Sequence, residues 1–335
     1  MDNFTRKTFT TSRSLKYAYY DSAPAKPLAA NKPTLFFIHG FPDDARLWKD
    51  VFPHLSSLPH RIIAIDQLGY GESSKPDSTA LYNSRAVSAD IAELLAAEQT
   101  SQIVAIGHDW GSSVAQRLWL WHPALVAGVA MLNVAYIPPV TTPFDLHALN
   151  AHTEQATGFP RYAYWELFAD DDGAQALLDA RLESLWCVVH GAREHWMRDM
   201  FCVRGAMRRF LEEDGRVELK PHARPGAGWK EEWFKTIREN GGVGAQLHSY
   251  KALAHNHHYE VEKNLPEERA PITVPTFFLG CERDEVALPA FIEPSRAAGL
   301  LPDLTVKVID SGHWCTMEKP DEVGQALYGF LSERF

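Results

Sequence analysis

The chain has 335 residues, room for one large domain with an insertion or for two modest ones, and its 45% hydrophobic content is that of a globular protein with a substantial core. A formal net charge of −10, without any dense Lys/Arg run, argues against a nucleic-acid partner and favours solubility. Cys187, Cys202, Cys281 and Cys315 lack C-x-x-C spacing, no apolar run is long enough to span a membrane, and the polar first residues lack the apolar stretch of a signal peptide, so a cytoplasmic protein off the membrane is expected.

Residues 4–20 hold two short alternations, Phe4–Thr10 and Leu15–Tyr20, which predict an antiparallel hairpin ended by a Pro/Ala-rich loop over 22–33. Thr34–Ile38 is a continuous apolar run of the kind found in strands buried on both faces of a parallel sheet. It leads into His39-Gly40-Phe41-Pro42, an irregular turn whose backbone N–H groups can point into a pocket; an ordinary strand-to-helix loop with a packing histidine remains the alternative. A helix is expected over 44–58, a strand over 61–65, a glycine-rich structural turn over 66–74 and an amphipathic helix over 84–99. The 66–74 turn lacks the lysine of a P-loop.

Ser101–Trp121 reads as a buried strand, a sharp glycine-flanked turn and a helix, with Asp109 at the apex of Gly107-His108-Asp109-Trp110-Gly111. Small residues are needed where strand and helix backbones approach closely. Such elbows commonly present a serine nucleophile. An aspartate there forms an ester that is still hydrolysable, which suits attack on an alkyl carbon bearing a strained oxygen or a halide. The bland alternative is an Asp that merely N-caps the helix.

A strand over 127–133 follows, and the pattern then changes. From 137 to 265 the chain is rich in Trp, Tyr, Phe, Arg and His, with helical periods, and is read as a helical cap inserted into a discontinuous core of 1–136 and 266–335. Strands return at 274–280 and 304–309, before a closing helix at 320–333. The fold class is therefore α/β, a mostly parallel sheet flanked by helices. Asp284 and His313 follow the last two strands, at the sheet edge where the elbow also lies, giving the order nucleophile, acid, base. Glu282 and Glu285 stand as substitutes for Asp284.

His39-Gly-Phe-Pro42, Gly107-His-Asp-Trp-Gly-Ser112, Gly280-Cys-Glu-Arg-Asp284 and Ser311-Gly-His-Trp314 resemble the motifs of α/β-hydrolases of the soluble epoxide hydrolase type over nearly the whole chain. The resemblance implies two cap tyrosines that hold the epoxide oxygen. Arg161-Tyr-Ala-Tyr164-Trp is similar to the family's first tyrosine stretch and His248-Ser-Tyr250-Lys to its second, with Tyr162 as competitor to Tyr164. If that first segment is helical, the spacing sends 162 and 164 to different faces, and only one can face the elbow.

On this expectation Asp109 attacks an epoxide carbon while Tyr164 and Tyr250 stabilise the alkoxide. His313, supported by Asp284, then activates water against the ester, and the Phe41 and Trp110 backbone N–H groups hold the oxyanion. His39, Pro42, Trp110 and Trp165 are expected to border a small hydrophobic epoxide; Trp165, Trp186 and Trp196 read equally as tunnel or packing residues. No cofactor or metal is expected, and His255-Asn256-His257-His258 reads as a solvated cap loop. A homodimer stays open. The rivals are a haloalkane dehalogenase using the same nucleophile and base, and a non-catalytic ligand-binding protein on this fold. No Gly-x-Ser-x-Gly occurs, which disfavours a serine esterase.

Overall fold

Alternating strand and helix segments predict parallel pairing, and a computed structural model describing residues 1, 3–22, 32–169 and 173–335 has it. Among the described residues the strands are β1 (Thr5–Thr10), β2 (Lys16–Asp21), β3 (Thr34–Ile38), β4 (Ile62–Ile65), β5 (Ile103–His108), β6 (Val126–Leu132), β7 (Thr276–Cys281) and β8 (Leu304–Ile309). They form one sheet in the order β1-β2-β4-β3-β5-β6-β7-β8. The expected hairpin is β1–β2, antiparallel with Thr5 opposite Asp21; β2 joins β4 antiparallel, and all later pairs are parallel. Most of the Pro/Ala-rich loop lies outside the described residues.

The continuous apolar runs are explained by burial on both faces. Phe37, Ala64, Ile106, Ala130 and Leu279 point into one core, while their chain neighbours Phe36, Ile65, Ala105, Met131 and Phe278 point into the other. That is the two-residue period of a strand with no solvated side. Each large side chain so buried contributes about 1.5–3 kcal/mol.

The single helix expected over 44–58 is not there. A 3-10 turn, Ala45–Trp48, is followed by a one-turn helix, Phe52–Leu55. Asp44 caps the first turn by accepting from the Arg46 N–H at 2.8 Å, and Asp66 accepts from the Ala45 N–H at 2.9 Å. Pro53 has no N–H to carry a hydrogen-bond ladder through, so it sits where a new helix starts. The Asp66–Ser74 turn is structural, organised by the same Asp66 carboxylate, which also accepts from the Glu72 N–H.

Between β6 and β7 lies a helical layer running from Leu146–Thr157 to His257–Glu262. Its aromatic content serves mainly as packing: Trp186 is buried and donates to the Ala223 carbonyl at 3.0 Å, and Trp196 donates to the Cys187 carbonyl at 2.8 Å. Polar ties hold this layer on the sheet. Trp233 Nε1 donates to the Pro42 carbonyl at 2.9 Å, Arg161 Nη1 to the Glu285 carbonyl at 2.6 Å, and Arg117 Nε to Glu262 Oε1 at 3.1 Å.

Candidate active site

β5 ends at His108, with Ile38 of β3 beside Gly107 and Leu132 of β6 beside His108, so the next residue emerges at the carboxyl edge of the sheet centre. The turn there is tight because the helix Trp110–Trp121 starts at once. A Cβ on Gly107 would come within 2.0 Å of the Gly111 carbonyl oxygen, and one on Gly111 within 2.0 Å of that of Ile38. Asp109 occupies φ 55°, ψ −121°, a backbone conformation costing a non-glycine residue about 1–3 kcal/mol.

Although Asp109 sits at the N-cap position, its side chain makes no capping bond to the helix. Oδ1 instead accepts the Phe41 backbone N–H at 2.9 Å, and the nearby Trp110 backbone N–H helps to lower the carboxyl. Of the two backbone donors expected, that of Phe41 bonds the elbow side chain directly. His313 Nε2 lies 3.5 Å from the other oxygen, Oδ2.

His313 Nδ1–H donates to Asp284 Oδ2 at 2.6 Å, which leaves Nε2 turned to Asp109. Asp284 is fully buried and saturated: Oδ1 accepts the Val286 and Ala287 N–H groups at 3.0 and 2.9 Å, and Oδ2 also accepts from Asn133 Nδ2 at 2.8 Å. Burial would raise its carboxyl, but the His313 charge and these donors hold it below the usual range. Burial would likewise raise the Asp109 carboxyl, and the His313 hydrogen bond and charge keep it low. For His313 burial opposes the charge, yet the two carboxylates win and hold the imidazole well above its ordinary value.

The substitutes considered for Asp284 are placed elsewhere. Glu282 is exposed, and Glu285 pairs with His195 Nδ1 at 2.8 Å and the Arg198 N–H at 3.0 Å. Asn133, at φ 66° just past β6, was missed by sequence reasoning; an Asn where a chain must leave a central strand was the available signal. Asp43 is a second omission. Its buried carboxylate accepts from Trp314 Nε1 at 3.1 Å, and burial followed by the Asp44 charge pushes it well above the usual range.

A cavity of about 480 Å³ opens beside Asp109 and His313, walled by Trp110, Tyr164 and Trp165 among others. Tyr250, expected at the site, is not among the cavity's lining residues; it packs edge-on against Trp110 (centroids 4.9 Å apart) and Tyr164 (6.0 Å), its hydroxyl facing the Trp110 indole. Burial first, then Asp109 for Tyr164 and Tyr164 for Tyr250, raises both phenols well above 10.0, so both remain proton donors.

Three expectations are corrected. His39 and Pro42 do not line the cavity: His39 is fully buried, accepts the Gln67 N–H at 3.0 Å and donates to the Gly40 carbonyl at 2.9 Å, while Pro42 serves Trp233. Tyr162 and Tyr164 both face the cavity, because 161–164 is a turn and the helix begins only at Trp165, so helical spacing does not apply. His258 is no solvated loop residue; it lies on the helix His257–Glu262 and lines the cavity.

The family model described as "alpha/beta hydrolase fold" matches residues 33–320. Among curated proteins the chain is similar to epoxide hydrolase A of Mycobacterium tuberculosis, at 29% identity over 90% of both chains, and to epoxide hydrolase B of the same organism, at 25% identity over 94% of both. Among solved structures it is similar to epoxide hydrolase A from Mycobacterium thermoresistibile, with a TM-score of 0.77 and 25% identity over 98% of both chains. A matching model over most of the chain, on a sheet and elbow of this geometry, establishes that the protein belongs to the α/β-hydrolase fold family.

Proposed function

We propose that the protein is an epoxide hydrolase that opens an epoxide with water to a vicinal diol through an ester on Asp109. The observation that carries this reading is the pair of buried phenols beside the elbow, Tyr164 lining the cavity with Asp109 and Tyr250 packed on Tyr164 and Trp110, both kept protonated. A protonated phenol donates to an epoxide oxygen as it becomes an alkoxide. The similarity to named epoxide hydrolases supports the same reading.

The division of labour follows from the hydrogen bonds. Oδ1 of Asp109 is engaged by the Phe41 N–H, so Oδ2 attacks the epoxide carbon and the carbon–oxygen bond breaks toward the tyrosines. The ester removes the Asp109 charge, one of the two that hold His313 protonated. The imidazole pKa then falls, Nε2 gives up its proton through solvent to the phenolate left when a tyrosine protonated the alkoxide, and the neutral Nε2 takes a proton from water as that water's oxygen adds to the Asp109 carboxyl carbon, a proton it returns to Oδ2 when the ester bond breaks. Negative charge collects on Oδ1, already bonded to the Phe41 N–H, and the diol leaves with Oδ2.

A haloalkane dehalogenase would need indole or amide donors free for halide. Here the Trp110 indole faces the Tyr250 hydroxyl, and Phe41 offers no side-chain donor. The helical layer over 137–265 acts as the cap that encloses the substrate, and a cytoplasmic location fits the four free cysteines. No helix among the described residues is long and apolar enough to cross a membrane.

The test is parallel assay of aryl and alkyl epoxides for diol and of chloro- and bromoalkanes for halide, with Asp109→Asn as control. Diol formation abolished in the variant is expected. Halide release without diol overturns the reading.

A further inference from the structure

His313 stands on a stretch without regular structure. β8 ends at Ile309, and the next helix, a single turn, begins at Cys315. No strand or helix ladder fixes the peptide that carries the base, so side chains have to anchor its backbone groups. Two such anchors are seen. The His313 carbonyl accepts from His108 Nε2 at 2.8 Å, and the Gly312 N–H donates to Glu318 Oε2 at 3.1 Å.

Glu318 reaches back from the end of the turn Cys315–Glu318. Its side chain is 8% exposed, and its other oxygen, Oε1, accepts from Lys220 Nζ at 2.7 Å. Both side chains lie directly on the peptide before the base. A Cβ on Gly312 would stand 2.6 Å from Glu318 Oε1 and 2.9 Å from Lys220 Nζ, so glycine there is what lets the pair approach. A carboxylate shared between a backbone N–H and an ammonium has both oxygens engaged and little freedom to rotate.

Lys220 comes from the helical layer between β6 and β7, not from the sheet and its own helices. Its N–H donates to the His190 carbonyl at 3.0 Å, at the end of the helix Leu182–His190. The His190 ring in turn packs on Trp314, with centroids 5.2 Å apart. The layer thus touches the residue on either side of His313: Gly312 through Lys220 and Glu318, and Trp314 through His190. Asp284 holds only Nδ1 of the imidazole, so the place of Nε2 depends on the backbone that carries the ring.

We propose that Glu318 is a positioning residue for His313, acting through the Gly312 N–H, and that Lys220 makes this alignment depend on the seating of the helical layer. The inference rests on the epoxide hydrolase reading above, in which Asp109 and the two phenols carry out alkylation and His313 serves as base only in ester hydrolysis. Loss of the anchor is therefore felt in one step. An ion pair that merely held the fold together would, on removal, lower stability and slow both steps alike.

The experiment is single-turnover quench with styrene oxide, following growth and decay of the alkyl-enzyme in wild type, Glu318→Ala, Glu318→Gln, Lys220→Met and the double variant Glu318→Ala/Lys220→Met. Glu318→Ala is expected to slow decay about 10- to 100-fold, the effect of displacing a catalytic group by up to about 1 Å, while alkylation stays near the wild-type rate and ester accumulates. Glu318→Gln, whose amide oxygen can still accept the Gly312 N–H, recovers part of the decay rate. Lys220→Met, at a partly exposed position, slows decay less than Glu318→Ala and adds nothing in the Glu318→Ala background, because it acts through that carboxylate. Equal slowing of both steps, unchanged decay in Glu318→Ala, or additive effects in the double variant overturns the proposal. Absence of an alkyl-enzyme from His313→Gln overturns the epoxide hydrolase reading and this inference with it, and the missing ester tells that failure from a failure of the anchor alone.

Discussion

Gly40→Ala tests the elbow geometry most directly. Gly40 does not need a positive φ, so alanine fits its backbone, but the new methyl would lie 2.3 Å from Asp109 Oδ1 and 2.5 Å from Asp109 Cβ. Rotating the carboxylate relieves the Oδ1 contact but not the one to Cβ, so the backbone at Gly40 or Asp109 must also shift, and both movements take the carboxylate away from the Phe41 N–H. Loss of one such donor costs about 10²- to 10³-fold in kcat. Overpacking costs about 1–3 kcal/mol of stability, and the stiffer unfolded chain returns about 0.4–1 kcal/mol. The variant should therefore fold, with a lower Tm by circular dichroism, yet hydrolyse the alkyl-enzyme at least about 100-fold more slowly in single-turnover quench. Gly158→Ala is the control: φ is +80° with nothing within 4 Å of the added methyl, so about 1–2 kcal/mol of stability goes and the rate stays. Wild-type rates in Gly40→Ala would refute the proposed seating of Asp109.

His313→Gln should stop after the first step, so intact-protein mass spectrometry finds one equivalent of epoxide mass added to the chain; an unmodified chain after turnover conditions counts against the ester route. Tyr164→Phe and Tyr250→Phe each remove one donor to the alkoxide, expected to slow alkylation by 10²-fold or so, and the double variant should show no detectable diol. Asn133→Ala withdraws a donor from the buried Asp284 carboxylate, and should lower stability by about 1–3 kcal/mol in urea titration while slowing ester hydrolysis more than alkylation. In pH profiles the hydrolysis step should fall on the acid side, where His313 of the ester form is protonated, while alkylation stays flat there because Asp109 is held below the usual carboxylate range; coincident acid limbs would contradict this. Linkage gives a matching stability profile. Asp109 and Asp284, depressed from 3.8, lose their contribution as pH falls through their folded values, and His313, raised from 6.5, loses its own as pH climbs through its folded value. The contribution of the three is fullest between 3.8 and 6.5, and a Tm profile unchanged by Asp284→Asn would speak against it.

Fold and elbow were legible in the sequence because both rest on local rules. Runs such as Leu35–Ile38 and Ile103–Ile106 are apolar at every position, as suits a strand covered on both faces, and the glycine at 107 answers a contact with Gly111 made within five residues, whereas the glycine at 111 answers the Ile38 carbonyl of a neighbouring strand. The order Asp109, Asp284, His313 was readable because each follows a strand, and parallel strands deliver their carboxyl ends to one edge. Side-chain direction outside regular structure obeys no such period. Tertiary contacts decided that Tyr162 and Tyr164 both face the cavity from a turn and that His39 spends its ring on Gln67, whereas the break at Pro53 follows a local rule the sequence already carried. Asn133 matters through a partner, Asp284, more than 100 residues away in the chain. Such long-range pairings are set by how the layers pack, and a one-dimensional pattern carries no record of them.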